Sequence, residues 1–426
     1  MIRRLVIGLV LVVASLGADA APALATGSET PCVYTGGHIS LLDTFDLLTG
    51  RDYRCVEIFA DAAPDWQQWA APGAVLSQDS TYRDFQWGDW AEQTASARQL
   101  IITLNLYPSS ENSDPNVLAE GAAGNFESYA TTFAQNLVNA GLGNSIIRLA
   151  HEANGDWYAD SIPNTPSGDA NWVQFWRNTV IAMRAVPGAH FKFDWTVNPG
   201  YRNIPLSNWY PGDDVVDIIG VDAYDAGVPA SVPFSGRWNY LYNEPDGIGA
   251  VATFAQQHGK PISIPEWGLG PAAQPGDGQG GDDPAYINGI ASVMRNDNVA
   301  YESYFFGELE QLQLENSPLS LAAYIYHFGP HGDAVGLPTS SPAPQVTITG
   351  GPADASTITA GPVTFTFSDS NPADTPVCST DGQPWRACST ASSDTITVAA
   401  GWHYWRVQVG DQNEQMSLHG RTFTAN

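Results

Sequence analysis

Two glutamates stand at the ends of short apolar runs, one in RLAHEANGDWY (148–158) and one in IPEWGL (264–269). Glu152 and Glu266 are costly at the end of a buried strand unless their carboxyls face a solvent-filled mouth, where they can be used. Two carboxyls about 5–5.5 Å apart can hydrolyse a glycosidic bond between them with retention. One keeps its proton for the leaving oxygen, and the other is ionised and attacks the anomeric carbon. A structural salt bridge is the alternative for either glutamate taken alone.

Aromatic and amide side chains stand at the same predicted strand ends, namely Trp157, Trp195, Asn198 and Trp267. Aromatic faces suit the apolar CH faces of pyranose rings, so we expect these residues to bind a sugar. Each aromatic is equally able to pack in the core.

Metal chemistry is the weaker interpretation of the same residues. His151 lacks the second histidine four positions on that a zinc-protease helix supplies. The loop 275–283 (PGDGQGGDD) has oxygen ligands for Ca²⁺ but no EF-hand register, so a surface loop is favoured. We expect neither a metal nor another cofactor.

Eight buried strands are predicted to position these residues. Apolar runs alternate with helix-length segments, which is the pattern of a buried parallel sheet. Eight such units predict a closed (β/α)8 barrel, a TIM barrel, with its chemistry at the C-terminal ends of the strands. An open doubly wound sheet is the competitor, but no glycine-rich phosphate loop follows an early strand. The predicted strands are 32–36, 55–60, 100–106, 145–150, 191–197, 215–222, 261–265 and 299–306, with helices at 125–140, 171–186, 248–258, 284–295 and 317–328.

A second, all-β domain is predicted after the barrel. Residues 338–345 (PTSSPAPQ) form a Pro/Ser linker, and the runs after it alternate apolar with polar residues. The stretch 378–388 resembles the disulfide-closed hairpin of bacterial immunoglobulin-like modules, which implies a small immunoglobulin-like β-sandwich. Its aromatics form either a sugar-stacking surface or a small core; they are Trp385, Trp402, Tyr404 and Trp405.

The four cysteines form two close pairs in the sequence, Cys32 with Cys55 and Cys378 with Cys388. In an exported chain each pair predicts a disulfide within its own domain. A four-cysteine metal site is the alternative, but the CxxC-type spacing that it needs is absent.

The N-terminus predicts export. A short basic start, an apolar run at 5–16 and Ala23-Leu24-Ala25 indicate a secretory signal peptide cleaved near Ala25, because twelve apolar residues are too few to span a membrane. The predicted domains are then a signal peptide (1–25), the barrel (26–337), the linker (338–345) and the β-sandwich (346–426). The chain has 17 Lys+Arg against 45 Asp+Glu, which argues against nucleic acid or an anionic membrane as a partner. We expect a secreted monomer whose partner is a polysaccharide.

Residues 32–330 resemble glycoside hydrolase family 26, the β-mannanases and their relatives. The segment 148–158 is similar to the family's Arg, His-Glu, Asn-Gly and aromatic pair, and the segment 220–224 is similar to its Gly-Val-Asp-x-Tyr. The resemblance implies that Glu152 is the acid/base and Glu266 the nucleophile. It also implies that the Tyr224 hydroxyl donates a hydrogen bond to the nucleophile. Independently of the family, an ionised Glu266 is expected to raise the pKa of a carboxyl a few ångströms away. The expected substrate-binding residues are Arg148, His151, Asn154, Trp157, Trp195, Asn198, Asp222, Tyr224 and Trp267.

Two positions depart from the family pattern. The family usually has a Trp at the end of strand eight, where this chain has Tyr304-Phe305-Phe306. It usually has a Trp-His pair after strand three, where this chain has 104–108 (LNLYP). Both positions shape sugar subsites, so the sequence supports the catalytic pair more firmly than it supports a sugar.

The sequence therefore predicts a secreted retaining endo-β-glycanase, with β-1,4-mannan favoured and β-glucan or xylan as alternatives. A carbohydrate-binding or cell-wall protein on a decayed barrel is the non-catalytic alternative. The presence of both glutamates and of Tyr224 argues against decay.

Overall fold

The computed structural model describes most of the chain beyond the N-terminus. The described residues are 30–60, 63–76, 87–92, 98–200, 202, 204–229, 231–270, 280–306, 314–330, 346–353, 356–370, 376–381, 386–410 and 416–426. The predicted signal peptide and the linker lie outside the described residues. In these ranges no helix combines the length and the apolar character that a membrane span needs.

Eight parallel strands pair in chain order and close into a barrel, with the last strand beside the first. The predicted (β/α)8 barrel is confirmed, and every strand overlaps its predicted run. The strands are β1 (Thr30–Tyr34), β2 (Cys55–Phe59), β3 (Gln99–Leu104), β4 (Ile146–Leu149), β5 (Lys192–Val197), β6 (Ile218–Val221), β7 (Ile262–Trp267) and β8 (Val299–Phe305).

Helices connect the strands and cover the outside of the barrel. Helix α7 illustrates how the sequence begins one: the Thr165 hydroxyl accepts from the Gly168 amide at 3.3 Å, and Pro166 takes the first helical position. The helices in the described ranges are α1 (Ile39–Thr49), α2 (Trp66–Trp69), α3 (Gly73–Leu76), α4 (Trp87–Glu92), α5 (Val117–Ala122), α6 (Glu127–Asn139), α7 (Pro166–Arg184), α8 (Arg237–Asn243), α9 (Ile248–His258), α10 (Pro284–Asn296) and α11 (Pro318–Phe328).

Side chains alternate between the inside and the outside of the barrel along each strand. Near the N-terminal ends of the strands, the inside is an apolar cluster that contains the predicted Cys32–Cys55 disulfide, which joins β1 to β2. The next interior positions toward the mouth are polar and fully buried. They include Glu57, Thr103, Arg148, Asp194 and Thr196.

Two acidic residues of the loop 275–283, which was considered for Ca²⁺, cap helices. The Asp283 carboxylate accepts from two amides at the start of α10. The Asp282 carboxylate accepts from the amides of Leu319, at 3.2 Å, and Ser320, at 2.8 Å, at the start of α11. Residues 275–279 of this loop lie outside the described residues. The two aspartates therefore satisfy helix N-termini, which favours the structural interpretation of the loop.

The C-terminal region is all β, as predicted, and has two sheets of order β10-β16-β15-β12-β13 and β14-β11-β9. The predicted Cys378–Cys388 disulfide joins β12 to the segment after β13. The immunoglobulin-like identity and the domain limits stay predictions. The strands are β9 (Val346–Gly350), β10 (Ser356–Ile358), β11 (Gly361–Asp369), β12 (Val377–Thr380), β13 (Arg386–Ala387), β14 (Ser393–Val398), β15 (Gly401–Gly410) and β16 (Met416–Ala425).

Trp405 belongs to the core of this region and not to a sugar-stacking surface. Its ring is fully buried and stacks on Phe365 with centroids 4.0 Å apart. Its indole Nε1–H donates to Asp394 Oδ2 at 2.8 Å. Trp385 and the side chains of Trp402 and Tyr404 lie outside the described residues.

Candidate active site

Glu152 is carried by a strained turn that directly follows β4. Ala150 and Glu152 both have left-handed backbone conformations, with φ of 52° and 50°. Such conformations cost roughly 1–3 kcal/mol each for residues other than glycine. The turn is held by the Ala150 amide, which donates to Leu104 O at 2.8 Å, and by the Glu152 amide, which donates to Thr196 O at 3.1 Å. Neighbouring strands thus fix the direction in which the Glu152 side chain leaves the barrel.

Two donors hold the Glu152 carboxyl in place. Asn198 Nδ2 donates to Oε1 at 2.6 Å, and Trp157 Nε1 donates to Oε2 at 2.9 Å. Burial raises the pKa of Glu152, and the negative charge of Glu266 raises it further, against the two hydrogen bonds. Glu152 therefore keeps its proton to higher pH than a free glutamate, as a general acid requires.

Glu266 is held on both carboxylate oxygens. Arg148 Nη1 donates to Oε1 at 2.5 Å, and the Tyr224 hydroxyl donates to Oε2 at 2.8 Å. The Glu266 amide donates to Asp222 Oδ1 at 3.1 Å. Charge-assisted donors of this kind fix the orientation of a nucleophilic carboxylate.

One guanidinium lies between three carboxyls beneath the mouth. Arg148 donates to Glu57, Asp222 and Glu266, and its Nε–H donates to Thr196 Oγ1 at 3.0 Å. All of these groups are buried. Arg148 is therefore the positive charge that allows several carboxyls to share one buried site.

A pocket of about 530 Å³ opens beside Glu266 and continues over the ends of β1 and β2. Part of its wall is aromatic: the ring of Tyr34 lies 5.1 Å from Phe59 and 4.2 Å from Phe305. The lining residues are Tyr34, Gly36, Gly37, Ile58, Phe59, Ala60, Ala74, Trp87, Asn105, His151, Tyr158, Glu266 and Phe305. A wall that combines flat aromatic faces with polar groups is suited to sugar rings and their hydroxyls.

His151 lies between the aromatic residues of the pocket and Glu266. Its ring lies 4.5 Å from Tyr158 and 5.4 Å from Phe59, and its Nε2 is 4.0 Å from Glu266 Oε1. Burial lowers the pKa of His151 well below its usual value, and the charge of Arg148 lowers it further. Neither ring nitrogen has a hydrogen-bond partner among the described residues. A neutral imidazole with both nitrogens unpaired is suited to a sugar hydroxyl.

The prediction that Trp195 and Trp267 contact a sugar is wrong, because both rings are fully buried outside the barrel. Trp195 packs on Trp209 with centroids 4.2 Å apart. Trp267 donates its Nε1–H to Glu302 Oε2 at 2.6 Å. A register irregularity between Ile264 and Trp267 in β7 turns Glu266 inward and Trp267 outward.

Arg148, Asn154 and Asp222 are almost fully buried, so their role as direct sugar contacts stays a prediction. Asn154 clamps the next strand: its Nδ2 donates to Asn198 O at 2.7 Å, and its Oδ1 accepts from the Asn198 amide at 2.9 Å. These side chains therefore position the groups that face the pocket.

Trp157, Asn198 and Tyr224 lie beside the paired glutamates as expected. The indole of Trp157 combines its bond to Glu152 with 44% exposure, so one face of the ring is open to solvent. Gly155 makes room for it, since a Cβ there would lie 2.5 Å from the Trp157 ring.

Sequence reasoning missed Glu57 and the pocket aromatics Tyr34 and Phe59. The signal for Glu57 was present, because an acidic residue in the otherwise apolar strand CVEIF needs a partner. Across the part of the chain that the structure describes, no cluster of His, Cys, Asp or Glu is arranged to hold a metal.

Comparison with known proteins gives a family match over the part of the barrel from β2 to α8. The model of glycosyl hydrolase family 26 matches residues 49–244, which include Glu152 and Tyr224. Endoglucanase H of Acetivibrio thermocellus is 25% identical over 315 residues, which are 71% of this chain and 30% of that protein. A beta-1,3-xylanase of Alcaligenes sp. is 26% identical over 184 residues, 41% of this chain and 34% of that protein. The chain thus spans about a third of the length of these curated relatives.

A solved structure is similar over nearly the whole chain. It is a modular endo-β-1,4-mannanase from Cellulomonas fimi, with 15% identity, a TM-score of 0.51, and coverage of 94% of this chain and 95% of that one. At this identity the likeness concerns the fold alone. The comparisons thus show a similarity to glycosyl hydrolase family 26 over residues 49–244 and a likeness of fold over nearly the whole chain.

Proposed function

We propose that the chain is a retaining endo-β-glycanase with Glu152 as acid/base and Glu266 as nucleophile. The observation that carries the proposal is the contrast between the two carboxyls. Arg148 and Tyr224 donate to Glu266, while burial and the charge of Glu266 keep the proton on Glu152. Carboxyls whose environments differ in this way take the base and acid roles in glycoside hydrolysis.

The first step forms a covalent intermediate. A Glu266 oxygen attacks the anomeric carbon, the bond to the leaving oxygen breaks, and that oxygen takes the proton of Glu152. Trp157 and Asn198 hold Glu152 toward the leaving group. The exposed face of Trp157 is placed to stack on the departing sugar.

The second step releases the sugar and restores both carboxyls. Glu152, now ionised, takes a proton from water, the water oxygen bonds to the anomeric carbon, and the ester bond to Glu266 breaks. Tyr224 and Arg148 receive the carboxylate again. His151, with both ring nitrogens unpaired, is the expected partner of a hydroxyl on the bound sugar.

The layout of the pocket supports cleavage inside a polysaccharide chain. The rings of Tyr34, Phe59 and Phe305 line the pocket over β1 and β2, on the side of Glu266. Trp157 provides a partly exposed ring beside Glu152. Sugar-binding surface on both sides of the carboxyl pair fits an endo-acting enzyme.

β-1,4-Mannan is the leading substrate because the catalytic motifs resemble those of the β-mannanases. β-Xylan, including the 1,3-linked form, is the second candidate. Phe305 takes the position at the end of β8 where the mannanases usually have a tryptophan, and the beta-1,3-xylanase is one of the curated relatives.

The test is a reducing-sugar screen over β-1,4-mannan, glucomannan, lichenan, β-1,3-xylan, β-1,4-xylan and arabinogalactan. We expect release of mixed oligosaccharides from one β-glycan. We also expect a loss of several orders of magnitude in Glu266→Ala. Unchanged turnover in that variant would refute the proposal. Glycan binding by calorimetry without reducing-end release would support the non-catalytic alternative instead.

We further propose that the protein is exported as a monomer after cleavage near Ala25. The basic start, the apolar run and the small residues at 23–25 support export, and the two disulfides fit an oxidising compartment. N-terminal sequencing of the protein from culture medium and light scattering test this proposal.

A further inference from the structure

One nitrogen of Arg148 joins the nucleophile to a second carboxyl across the barrel. Arg148 Nη1 lies 2.9 Å from Glu57 Oε1 on β2 and 2.5 Å from Glu266 Oε1 on β7. Arg148 Nη2 contacts Asp222 on β6. A single positive charge cannot balance three carboxylates in a buried site, so at least one carboxyl is expected to carry a proton.

Burial raises the pKa of Asp222 as well as that of Glu57, but both Asp222 oxygens accept hydrogen bonds, so the surroundings of Glu57 mark it as the carboxyl that carries this proton. Its Oε1 accepts from both Thr103 Oγ1, at 2.7 Å, and Arg148 Nη1, while its buried Oε2 has no partner among the described residues. An ionised oxygen without a donor is costly in the interior, whereas a protonated one is much less so. Burial and, to a lesser degree, the charge of Glu266 raise the pKa of Glu57 to about 7, against the attraction of Arg148.

The charged and titratable groups that act on Glu57 come from four other strands. They are Arg148 on β4, Asp222 on β6, Glu266 on β7 and the phenol of Tyr301 on β8. In the proposed double displacement Glu266 loses its charge because it becomes a neutral glycosyl ester, while Glu152 becomes ionised. Of these two carboxyls, Glu266 is the one whose charge acts on Glu57. The repulsion that favours the proton on Glu57 then disappears, and Arg148 loses one of its counter-ions.

We infer that Glu57 is the reserve counter-ion of Arg148, which gives up its proton when Glu266 is glycosylated and recovers it when the ester is hydrolysed. This inference rests on the proposed function. In the first step the proton leaves Glu57 for solvent, and the new carboxylate pairs with Arg148. In the second step Glu266 regains its charge and Glu57 takes a proton back, so the complete cycle neither produces nor consumes protons at this residue. Glu57 is a positioning residue, since it acts through Arg148.

Proton release on trapping the intermediate tests this inference. The probes are 2-deoxy-2-fluoro-β-mannobiosyl fluoride and the corresponding xylobiosyl fluoride, added to the full chain at pH 6.5 in weak buffer with a pH indicator. Fluoride departs as an ion, so bond making and breaking at the sugar release no proton. Any protons come from groups whose pKa falls when Glu266 is esterified, chiefly Glu152 and Glu57. Mass spectrometry of the labelled peptide counts the esters formed.

We expect the wild-type protein to release more protons per ester than Glu57→Gln does. The difference should be on the order of half a proton or more for each ester, because the wild type has one additional group with a pKa near 7. The amide keeps an oxygen for Thr103 and Arg148 but has no acidic proton. Glu302→Gln is the matched control, because Glu302 is an equally buried carboxyl with a raised pKa and has no contact with Arg148. Its proton release should equal that of the wild type.

Equal proton release in Glu57→Gln and wild type, with ester formed on both, would overturn the inference and leave the proposed function standing. Absence of any ester on Glu266, with the fluoride of the sugar that the substrate screen identifies, would instead refute the proposed function. Thr103→Val provides a second test if Glu57→Gln does not fold. The Thr103 hydrogen bond lowers the pKa of Glu57, so its loss should move the midpoint of proton release to higher pH. An unchanged midpoint in Thr103→Val counts against the inference.

Discussion

At the scale of single residues, the molecule sets the acidity of Glu152 with two hydrogen-bond donors. Asn198 and Trp157 each stabilise the ionised form, against burial and the charge of Glu266. The two donors thereby prevent the general acid from becoming too weak to protonate a leaving group.

Removing either donor should move the alkaline limb of kcat/KM to higher pH. Loss of the hydrogen bond raises the pKa of Glu152, so its protonated form persists further into the alkaline range. Asn198→Ala should have the larger effect and Trp157→Phe the smaller. We expect kcat to fall about tenfold or more in both variants, because the carboxyl is no longer held in place. A pH profile that moves to lower pH would contradict this account of Glu152.

Trp195 and Trp267 were assigned to the wrong side of the barrel because side chains alternate between the two faces of a strand. In β5 the polar residues Asp194 and Thr196 face the barrel interior, so Trp195 between them must face outward. That alternation was visible in the sequence. For Trp267 it was not, because the irregularity in β7 breaks the period of two, and a single sequence carries no signal for its position.

At the scale of secondary-structure elements, a side-chain cap connects α10 with α11. Asp282, which precedes α10, caps α11 through the Leu319 and Ser320 amides, so one carboxylate connects two helices. The sequence predicted both helices from periodicity. It did not predict this cap, because the capping residue lies some 37 positions from the helix that it serves.

Asp282→Ala should lower the free energy of unfolding by about 1–2 kcal/mol, since two amides of α11 lose their acceptor. Asp282→Asn keeps a side-chain oxygen, so its free energy of unfolding should fall by less than half as much. Denaturant unfolding measures the cost, and hydrogen exchange at the Leu319 and Ser320 amides locates it. Unchanged protection of these amides in Asp282→Ala would show that the cap does not hold α11.

Glu302 on β8 makes the stability of the barrel depend on pH. Burial raises its pKa to about 8, and the bonds to Trp267 and the charge of Arg51 only partly oppose this increase. An acid with a raised folded pKa contributes most below its unfolded value near 4.5, and this contribution is lost as pH rises toward 8. A shift of this size corresponds to a few kcal/mol, at about 1.4 kcal/mol for each unit of pKa.

Glu302→Gln should therefore become more stable than the wild type as pH rises from 5 to 9. The amide oxygen keeps the bond to Trp267 Nε1 and never ionises. Thermal unfolding at a series of pH values measures the effect, with the exposed Glu127→Gln as control. A constant difference in Tm between Glu302→Gln and the wild type across this range would contradict the buried, titrating carboxyl.

At the scale of the whole molecule, the C-terminal sheets are joined to the barrel by a buried ion pair. Arg406 on β15 donates to Asp43 on α1, and its Nη2 donates to Ser379 Oγ at 3.0 Å. Arg406 and Gln408 alternate with the core residues of β15 and so lie on its opposite face, yet they are only 6% and 5% exposed. Arg406 therefore contacts α1 of the barrel from this face. The sequence predicted two domains but not this contact, because Asp43 and Arg406 are separated by 363 positions.

A double-mutant cycle on Asp43→Ala and Arg406→Ala should give a coupling energy of about 1–3 kcal/mol in full-chain unfolding. Removing either partner leaves the other charge in a buried site without this ion pair. The exposed pair Arg177 and Asp214 is the control within the barrel, with coupling below about 1 kcal/mol. We expect no change in kcat for any of these variants. Coupling near zero for the buried pair would mean that the two domains do not support each other.

The roles of the paired glutamates are tested most directly by the anomeric configuration of glycosyl azides. With an aryl β-glycoside and azide, Glu152→Ala should give the β-azide, since azide attacks the glycosyl ester on Glu266. Glu266→Ala should give the α-azide, since azide replaces the missing nucleophile. NMR of the two products distinguishes them. The same anomer from both variants, or rescue of neither, would contradict the assignment of Glu152 as acid/base and Glu266 as nucleophile.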